Sequence, residues 1–329
     1  MKAVLCKTFG PPEMLVVEEV PEPSPRPGEA IVAVRAIGLN FFDTLIIENK
    51  YQFRPQPPFS PGSEFAGTVA ALGDGVSGLA VGDRVMGYIP YGSCAERLAV
   101  AASQLTKIPD ALDFRTAAAL TVTYGTSLHA LKDRAALAPG ETVAILGAAG
   151  GVGQAAIELA KVMGARVIAA ASSEDKLDAC REIGADETIN YATAEFKERL
   201  KELTGGRGAD VVYDPVGGEI AEQALRATAW GGRYLVIGFA SGVIPRIPLN
   251  LVLLKGCQMV GVFWGAFTER DRQGHQANMR MLIDWCVDGR INPRIFATYP
   301  LEDTPRALMD FVDRRVLGKI VIETGGAGG

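Results

Sequence analysis

The spacing of hydrophobic and polar positions changes near residue 122 of this 329-residue chain. Before that point, β-branched runs such as A-I-V-A-V-R-A-I-G-L are broken by Pro and Gly, which predicts short antiparallel strands. One segment alternates Pro21, Pro23, Pro25 and Pro27, and it must be an extended loop or an edge because proline cannot donate to a strand ladder. We therefore predict a β-rich, barrel-like domain over residues 1–121.

From residue 122 onward, strand and helix patterns alternate, which is typical of a parallel sheet covered on both faces. Six strands are predicted, which is the number that a doubly wound dinucleotide-binding fold needs. They are Thr142 to Leu146, Arg166 to Ala170, Glu187 to Ile189, Asp210 to Tyr213, Tyr234 to Gly238 and Gln258 to Val262. We predict an α/β domain with a Rossmann doubly wound, parallel six-stranded sheet over residues 122–263.

The C-terminal segment 264–329 is expected to complete the first domain. It carries a helical pattern from Gln276 to Asp288, a strand near Ile295, and a helix followed by a strand in G-K-I-V-I-E. The final G-G-A-G-G has too little side chain to pack, and we predict that it is disordered.

The segment with the clearest chemistry lies between Glu141 and Gly164, where a short apolar strand runs into A-A-G-G-V-G and then into an apolar helical pattern. Gly150 would let the backbone approach phosphates, Gly153 would let the helix pack closely on the strand, and the amides at the helix start would attract an anion. Glycine-rich turns often only connect elements, but the order strand, turn and helix favours a dinucleotide site.

The residues after the second strand predict which dinucleotide binds. A free ribose hydroxyl is usually held by an acidic residue at the end of that strand, but here the strand ends at Ala171. Ser172, Ser173 and Lys176 follow, and hydroxyl groups beside a cation suit a 2′-phosphate. The sequence therefore predicts NADPH.

Two alternatives remain open at this place. Ser172 and Asp175 could form a helix capping box, with Lys176 a solvated surface charge. Glu174 or Asp175 could instead bind the ribose, although acids in a first helical turn commonly complement the helix dipole.

Composition limits the class of protein. With 48% hydrophobic and 22% charged residues the chain is typical of globular proteins, and no apolar run approaches the length of a membrane span. A net charge of −5 argues against nucleic acid as the main partner. The N-terminus lacks a signal pattern, so we expect a cytoplasmic protein. Five scattered cysteines predict reduced thiols in the core rather than a disulfide framework.

Several motifs occur in a characteristic order: G-L-N-F-F-D-T-L-I-I, G-S-E-F-A-G-T-V, V-G-D-R-V, A-A-G-G-V-G, D-P-V-G-G and G-K-I-V. Together they resemble the zinc-free quinone oxidoreductases of the medium-chain dehydrogenase/reductase superfamily, and the resemblance spans the chain. It implies a GroES-like β-rich domain, a Rossmann domain, NADPH as cofactor and a homodimer. The predicted edge strand Gln258 to Val262 also favours a homodimer, because an unpaired apolar edge invites aggregation.

The resemblance implies roles for individual residues. Asn40 and Asp43 match an N-x-x-D motif, Thr123 a threonine beside the nicotinamide, and Tyr51 a possible proton donor. The implied cofactor contacts are Gly150, Gly151 and Val152 at the pyrophosphate, Ser172, Lys176 and Tyr191 at the 2′-phosphate, Phe239, Val262, Phe263 and Trp264 at the nicotinamide, and Lys319. Structural roles compete with these, since Asn40 could cap a turn, Tyr191 could close a strand, and the Phe263-Trp264 pair could be core.

The chain also departs from related enzymes. Where the family often has a tyrosine shortly after the Asp, it has Leu45 and Ile46, which puts the acceptor in doubt. Zinc-dependent relatives carry Cys and His at the places of Asn40 and Ser63, so we expect no metal site.

The expected reaction is hydride transfer to a quinone. Asn40 or Thr123 would hydrogen-bond the developing oxyanion, and Tyr51 or water would deliver the proton. An enoyl or 2-alkenal double-bond reductase and a non-catalytic NADPH-binding protein are the alternatives.

Overall fold

The computed structural model describes residues 1–325 and divides the chain into two compact units. The first contains Met1–Val122 and the C-terminal segment from Met279, and the second is Thr123–Asn278. The expected boundary at residue 263 therefore differs from the observed one, which falls after Asn278. Residues 326–329, most of the glycine-rich end for which we predicted disorder, lie outside the described residues.

The first unit is built on mostly antiparallel strands, with one parallel pair at an edge of its larger sheet. Its larger sheet has seven strands in the order β14-β15-β3-β4-β5-β7, with β6 paired to β3, and β1 pairs separately with β2. The strands are β1 (Lys2–Leu5), β2 (Val16–Glu19), β3 (Glu29–Leu39), β4 (Glu64–Leu72), β5 (Arg84–Tyr88), β6 (Arg97–Ala101), β7 (Leu105–Lys107), β14 (Ile295–Pro300) and β15 (Lys319–Glu323). The proline-rich segment lies between β2 and β3, outside any strand.

The C-terminal strand β15 pairs antiparallel with β3, so that Ile320 lies opposite Leu39. Its apolar side chains Ile320 and Ile322 join the core of the first unit together with Leu308 of α10. The three helices that belong wholly to this unit or begin in it are α1 (Phe41–Ile47), α2 (Phe114–Leu128) and α10 (Thr304–Val312). This pairing places the start of β15 beside the end of β3, where α1 begins.

The second unit contains a parallel six-stranded sheet in the order β10-β9-β8-β11-β12-β13, which confirms the predicted doubly wound fold. Its strands are β8 (Thr142–Ile145), β9 (Arg166–Ala171), β10 (Glu187–Asn190), β11 (Ala209–Asp214), β12 (Thr228–Val236) and β13 (Gln258–Gly261). The central strands β8 and β11 are mostly buried because helices cover both faces of a parallel sheet. The helices are α3 (Gly151–Val162), α4 (Glu174–Glu182), α5 (Phe196–Leu203), α6 (Ile220–Arg226), α7 (Leu249–Lys255), α8 (Trp264–Arg270) and α9 (Arg272–Val287).

An aromatic cluster explains why residues 264–278 pack with the second unit. The His129 and Phe267 rings are stacked with 3.9 Å between centroids, and the Trp264 and His275 rings meet edge to face at 5.6 Å. The sequence pattern did not predict this cluster, because His129 is far in the chain from the other three members.

Two expectations from composition can be compared with the structure. Cys6, Cys94, Cys180 and Cys257 are buried as predicted, whereas Cys286 is only half-buried, and no cysteine in residues 1–325 forms a disulfide. Over the same described range, no helix is both long and apolar enough to cross a membrane.

Burial of His275 predicts a pH-dependent contribution to stability. The ring is buried, its Nδ1 has no hydrogen-bond partner, and burial lowers its pKa from 6.5 to about 4. In the unfolded chain the ring takes up a proton near its ordinary pKa, so the unfolded state binds more protons between these values and stability falls as the pH falls. Between pH 7 and pH 4, we expect the unfolding free energy of the wild type to fall by roughly 3 kcal/mol more than that of the His275→Gln variant.

Urea denaturation of both proteins at several pH values measures this difference. The difference between the two proteins is compared because other groups titrate in the same range. Parallel pH profiles would contradict the assignment.

Candidate active site

In the glycine-rich turn between β8 and α3, Gly153 and Gly150 are glycine for different reasons. A Cβ on Gly153 would lie 2.6 Å from both the Ala148 Cα and the Gly147 carbonyl oxygen, so only glycine lets α3 approach the turn this closely. This confirms the predicted packing role of Gly153.

Gly150, by contrast, has no intramolecular reason to be glycine. Its φ of −76° and ψ of 168° suit any residue, and a Cβ there would meet only the Gly147 oxygen at 3.5 Å. Gly150 is the N-cap of α3, where the first helical amides, those of Gly151 and Val152 among them, have no partner within the helix. The free space and the amides at the same point fit the pyrophosphate of a dinucleotide.

Side chains outside the motif hold the start of α3 in place. The Ser127 hydroxyl lies 3.0 Å from the Val152 carbonyl oxygen and 2.8 Å from the buried Tyr213 hydroxyl, and the Gln154 amide donates to the Ala149 carbonyl at 3.1 Å. Burial raises the pKa of Tyr213, so its phenol stays protonated and remains a hydrogen-bond partner. No local sequence pattern relates Ser127 and Tyr213 to the turn, so these two residues were not predicted.

The predicted 2′-phosphate contacts lie at the carboxyl edge of two neighbouring strands. Strand β9 ends at Ala171, and the Tyr191 amide donates to the Ala171 carbonyl at 3.1 Å. The Lys176 Nζ lies 3.4 Å from the Ser172 Oγ, so a cation and a hydroxyl are brought together. Three of the residues that we selected are therefore neighbours in space.

Contacts at this edge weaken the two alternatives to a phosphate site, namely a helix capping box and an acid that binds the ribose. The N-cap of α4 is Ser173 rather than Ser172, and it makes no side-chain capping bond, so the capping box of Ser172 and Asp175 is wrong. Of the two acids that could have bound a ribose, Glu174 and Asp175, the Glu174 carboxylate accepts a hydrogen bond from the Asn190 amide at 2.8 Å.

The residues predicted to border the nicotinamide differ in burial: two are exposed and two are buried. Phe239 lies against Gly217, whose Cβ would be 2.8 Å from the Phe239 ring, and Phe263 is 53% exposed. Val262 is buried and its amide donates to the Val236 carbonyl at 3.0 Å. Trp264 is only 4% exposed and packs on His275, so the structure favours the core interpretation for its ring.

Asp214 shapes the D-P-V-G-G loop that contains Gly217. Its carboxylate accepts hydrogen bonds from the amides of Val216 at 2.8 Å and Gly217 at 2.9 Å, and it also binds the Tyr234 hydroxyl. Burial raises the pKa of Asp214, and these hydrogen bonds oppose the rise. The loop beneath Phe239 is thus fixed by a side chain that the motif contains but whose role we had not assigned.

In the first unit, a buried polar cluster surrounds Asn40. The Lys319 Nζ donates to the Leu39 carbonyl at 2.9 Å, to the Asn40 Oδ1 at 2.8 Å and to the Glu64 Oε1. The Asn40 Nδ2 donates to the same Glu64 oxygen at 2.8 Å, and the other Glu64 oxygen accepts from the Val122 amide at 2.6 Å. Lys319 is 2% exposed and Glu64 is fully buried.

This cluster corrects the prediction that Lys319 contacts the cofactor. An ammonium group has three donors, and all three are used by Leu39, Asn40 and Glu64. We therefore assign Lys319 to the buried cluster. Asn40 is the N-cap of α1, but its side-chain amide binds Glu64 and Lys319, so it does more than end a turn.

The same cluster does not fit a zinc ion at Asn40 and Ser63. An ammonium group lies 2.8 Å from the Asn40 oxygen and would repel a dication, and an amide and a hydroxyl are poor replacements for thiolate and imidazole. Within residues 1–325, no group of three or more His, Cys, Asp or Glu side chains is arranged to hold a metal.

Asp43 and Tyr51 are electrostatically coupled in the first unit. The buried Asp43 accepts a hydrogen bond from the Asn40 amide at 2.7 Å, and its Oδ1 has no partner. Burial raises the pKa of Asp43 to about 7, while that hydrogen bond and the charge of Lys319 oppose the rise. Tyr51 stacks on Phe42 with 5.3 Å between ring centroids, and burial together with the charge of Asp43 raises its pKa to about 12.

Burial also describes Thr123, a candidate catalytic residue, and position 46, where related enzymes often have a tyrosine. Thr123 lies in α2 within the second unit, where its side chain is covered. Ile46, at one of the places where a tyrosine hydroxyl was missing, belongs to the apolar core of the first unit, and Leu45 is half-buried. The absence of a hydroxyl at position 46 is therefore explained by packing.

Comparisons with known proteins agree with this division of the chain. A family model described as an alcohol dehydrogenase GroES-like domain matches residues 26–110, and one described as a zinc-binding dehydrogenase matches residues 151–284. The quinone oxidoreductase-like protein 2 homolog of Nematostella vectensis is 40% identical over 98% of this chain and 89% of its own length.

Solved structures are similar over the full length. The quinone oxidoreductase of Escherichia coli complexed with NADPH has a TM-score of 0.92 and 29% identity, covering 98% of this chain and 100% of the other. A mycobacterial protein complexed with NADPH has a TM-score of 0.92 and 32% identity, with coverage of 98% and 100%.

The two glycines of the turn predict different effects of the same substitution. We expect Gly150→Ala to keep the stability of the wild type and to lose NADPH affinity, because its Cβ enters space that no atom of the chain occupies. We expect Gly153→Ala to lose about 1 to 3 kcal/mol of stability, because its Cβ overlaps backbone.

Thermal unfolding and calorimetric titration with NADPH measure the two effects separately. Wild-type affinity in Gly150→Ala would show that the turn does not hold the nucleotide.

Proposed function

Because this chain belongs to the quinone oxidoreductase family of the medium-chain dehydrogenase/reductase superfamily, we propose that it is an NADPH-dependent reductase that transfers hydride to a quinone. The observation that carries the proposal is the turn at Gly150, where an ordinary backbone conformation, free space and unpaired helical amides coincide. The two similar structures complexed with NADPH support the same ligand.

The residues that would hold NADPH all lie in the second unit. Gly150, Gly151 and Val152 would bind the pyrophosphate through backbone amides, since anions are stabilised at a helix N-terminus. Ser172 and Lys176 would bind the 2′-phosphate, supported by their 3.4 Å approach. Ser173 and Tyr191 would border the same phosphate.

The border of the nicotinamide is proposed separately. Phe239, Val262 and Phe263 would form it, and of these Phe239 and Phe263 retain exposed ring surface. The ring of Trp264, which packs on His275, would act indirectly, through the core.

When bound, NADPH supplies the hydride, and the protein supplies hydrogen bonds and a proton. Asn40 or Thr123 would donate a hydrogen bond to the acceptor oxygen as negative charge develops there, a contribution of roughly 2.7 to 4 kcal/mol in measured enzymes. The pKa of Tyr51, raised to about 12, keeps its phenol protonated at neutral pH, so that it can donate to the same oxygen.

The reaction that we propose needs no zinc. The buried Lys319 ammonium places a fixed positive charge beside Asn40, where a metal ion would be repelled. A quinone also accepts hydride without a Lewis acid, because the charge that it gains is delocalised onto its oxygens.

The proposed assembly is a homodimer through the edge of the parallel sheet. Strand β13 pairs with β12 on one side only, and Met259 on it is exposed. Helix α7 adds exposed leucines, with Leu253 at 78% exposure. Pairing of two β13 strands would cover an edge that otherwise favours aggregation. The cytoplasmic location stays a prediction.

The central test of function is the acceptor profile. We expect the purified protein to oxidise NADPH with 1,4-benzoquinone or 9,10-phenanthrenequinone and to form the hydroquinone. Assays with 2-alkenals and enoyl thioesters are run in parallel, with product analysis for each acceptor. A saturated carbonyl as the main product would favour the double-bond reductase, and tight NADPH binding without any product would favour a non-catalytic protein.

Lys176 should determine the preference for NADPH. We expect Lys176→Ala to raise the KM for NADPH roughly tenfold to a hundredfold, because a charge-assisted hydrogen bond is lost, and to leave the KM for NADH almost unchanged. Lys197→Ala, which removes a cation paired with Glu198 on α5, is the matched control. Equal effects of Lys176→Ala on both nucleotides would count against a phosphate contact.

A further inference from the structure

The side-chain amide of Asn40 is held in one of its two possible orientations by opposite charges. Its oxygen faces the Lys319 ammonium and its nitrogen faces the Glu64 carboxylate, each at 2.8 Å. A flipped amide would place its N–H groups against the ammonium donor and its oxygen against the carboxylate. Both contacts would then be repulsive, so the two charges select a single orientation.

This orientation determines what Asn40 can offer to a ligand. The amide oxygen is occupied by Lys319, and one of the two hydrogens on the nitrogen is occupied by Glu64. One N–H remains, and Asn40 keeps 6% of its surface exposed. Asn40 can therefore act toward a ligand as a hydrogen-bond donor.

We propose that Lys319 is a positioning residue for the reaction, because its ion pair with Glu64 fixes the Asn40 amide so that a donor, and not an acceptor, faces the reacting oxygen. This inference rests on the proposed function for the identity of that oxygen. Lys319, on the last strand, would thus act in catalysis without contacting the substrate.

The fold explains how a residue so distant in sequence reaches Asn40. Lys319 begins β15, and the pairing of Ile320 with Leu39 sets it beside the end of β3. Its bond to the Leu39 carbonyl ties the ammonium to backbone as well as to side chains. The Glu64 carboxylate lies close to the backbone of Gly38. A Cβ on Gly38 would lie 2.7 Å from the Glu64 Oε1, so glycine at this position leaves room for the carboxylate.

The variants must remove the charges without leaving one of them buried alone. Removing a single partner of a buried ion pair is strongly destabilising, whereas a neutral pair of similar volume is often tolerated. We therefore choose the double variant Glu64→Gln/Lys319→Met. In it, a neutral amide faces Asn40, and both orientations of Asn40 become possible. Arg115→Met, which breaks an exposed ion pair with Glu323 of the same strand β15, is the matched control.

Steady-state kinetics test the positioning role through a double-mutant cycle with Asn40→Ala. We expect the neutral double variant to lower kcat roughly tenfold to a hundredfold, with the KM for NADPH unchanged, because a misplaced donor affects the chemical step. In the Asn40→Ala background the same double substitution should cause no further loss. Equal losses in both backgrounds would show a purely structural role and overturn the proposal, and the control should keep the wild-type kcat.

Solvent exchange of the Asn40 side-chain amide, followed by NMR of protein labelled at asparagine nitrogen, gives a readout that needs no turnover. Asn40→Ala assigns the signal. In the wild type we expect one Nδ2 hydrogen to exchange much more slowly than the other, and in the neutral double variant we expect the two rates to converge.

The two experiments separate the possible failures. Equal exchange of both hydrogens in the wild type overturns the positioning role, even if the double variant does not fold. Unequal exchange in a wild type that reduces no quinone would refute the proposed function but keep the fixed amide. Wild-type kcat in a folded double variant would refute the positioning role alone.

Discussion

The ion pair between Lys319 and Glu64 is the interaction on which the first unit depends. It is almost completely covered, and it joins the last strand of the chain to the end of β3 and to β4. A buried carboxylate or ammonium is costly unless it is paired and hydrogen-bonded, and here Lys319 uses its three donors while both oxygens of Glu64 accept hydrogen bonds. Asn40 lies between the charges and takes its orientation from them.

The two units hold their candidate functional groups by different physical means. In the second unit, the turn at Gly150 offers backbone amides and space, and buried hydroxyls at Ser127 and Tyr213 hold it. In the first unit, charged and polar side chains are fixed by one another within an antiparallel sheet. Backbone amides suit a phosphate that must be held without reaction, whereas a side-chain donor suits an oxygen whose charge changes during the reaction.

The features that the sequence could predict are the ones that depend on neighbours in the chain. The six parallel strands, the turn at Gly150 and the grouping of Ser172 with Lys176 follow from periodicity and spacing, and the structure has them, although β12 begins at Thr228 rather than at Tyr234. The role of Lys319 does not follow, because it depends on β15 pairing with β3 across some 280 residues. Trp264 was predicted to border the nicotinamide with a core position as the alternative, and its contact with His275 favours the core.

The central claim is that a fixed ammonium group, rather than a metal ion, sets the polarity around Asn40 during hydride transfer to a quinone. The most direct measurement is turnover of NADPH with a quinone by chelator-treated protein whose metal content is determined by mass spectrometry. The account predicts full activity with far less than one zinc per chain and no gain when zinc is added. Loss of activity on chelation, with recovery on addition of zinc, would contradict it.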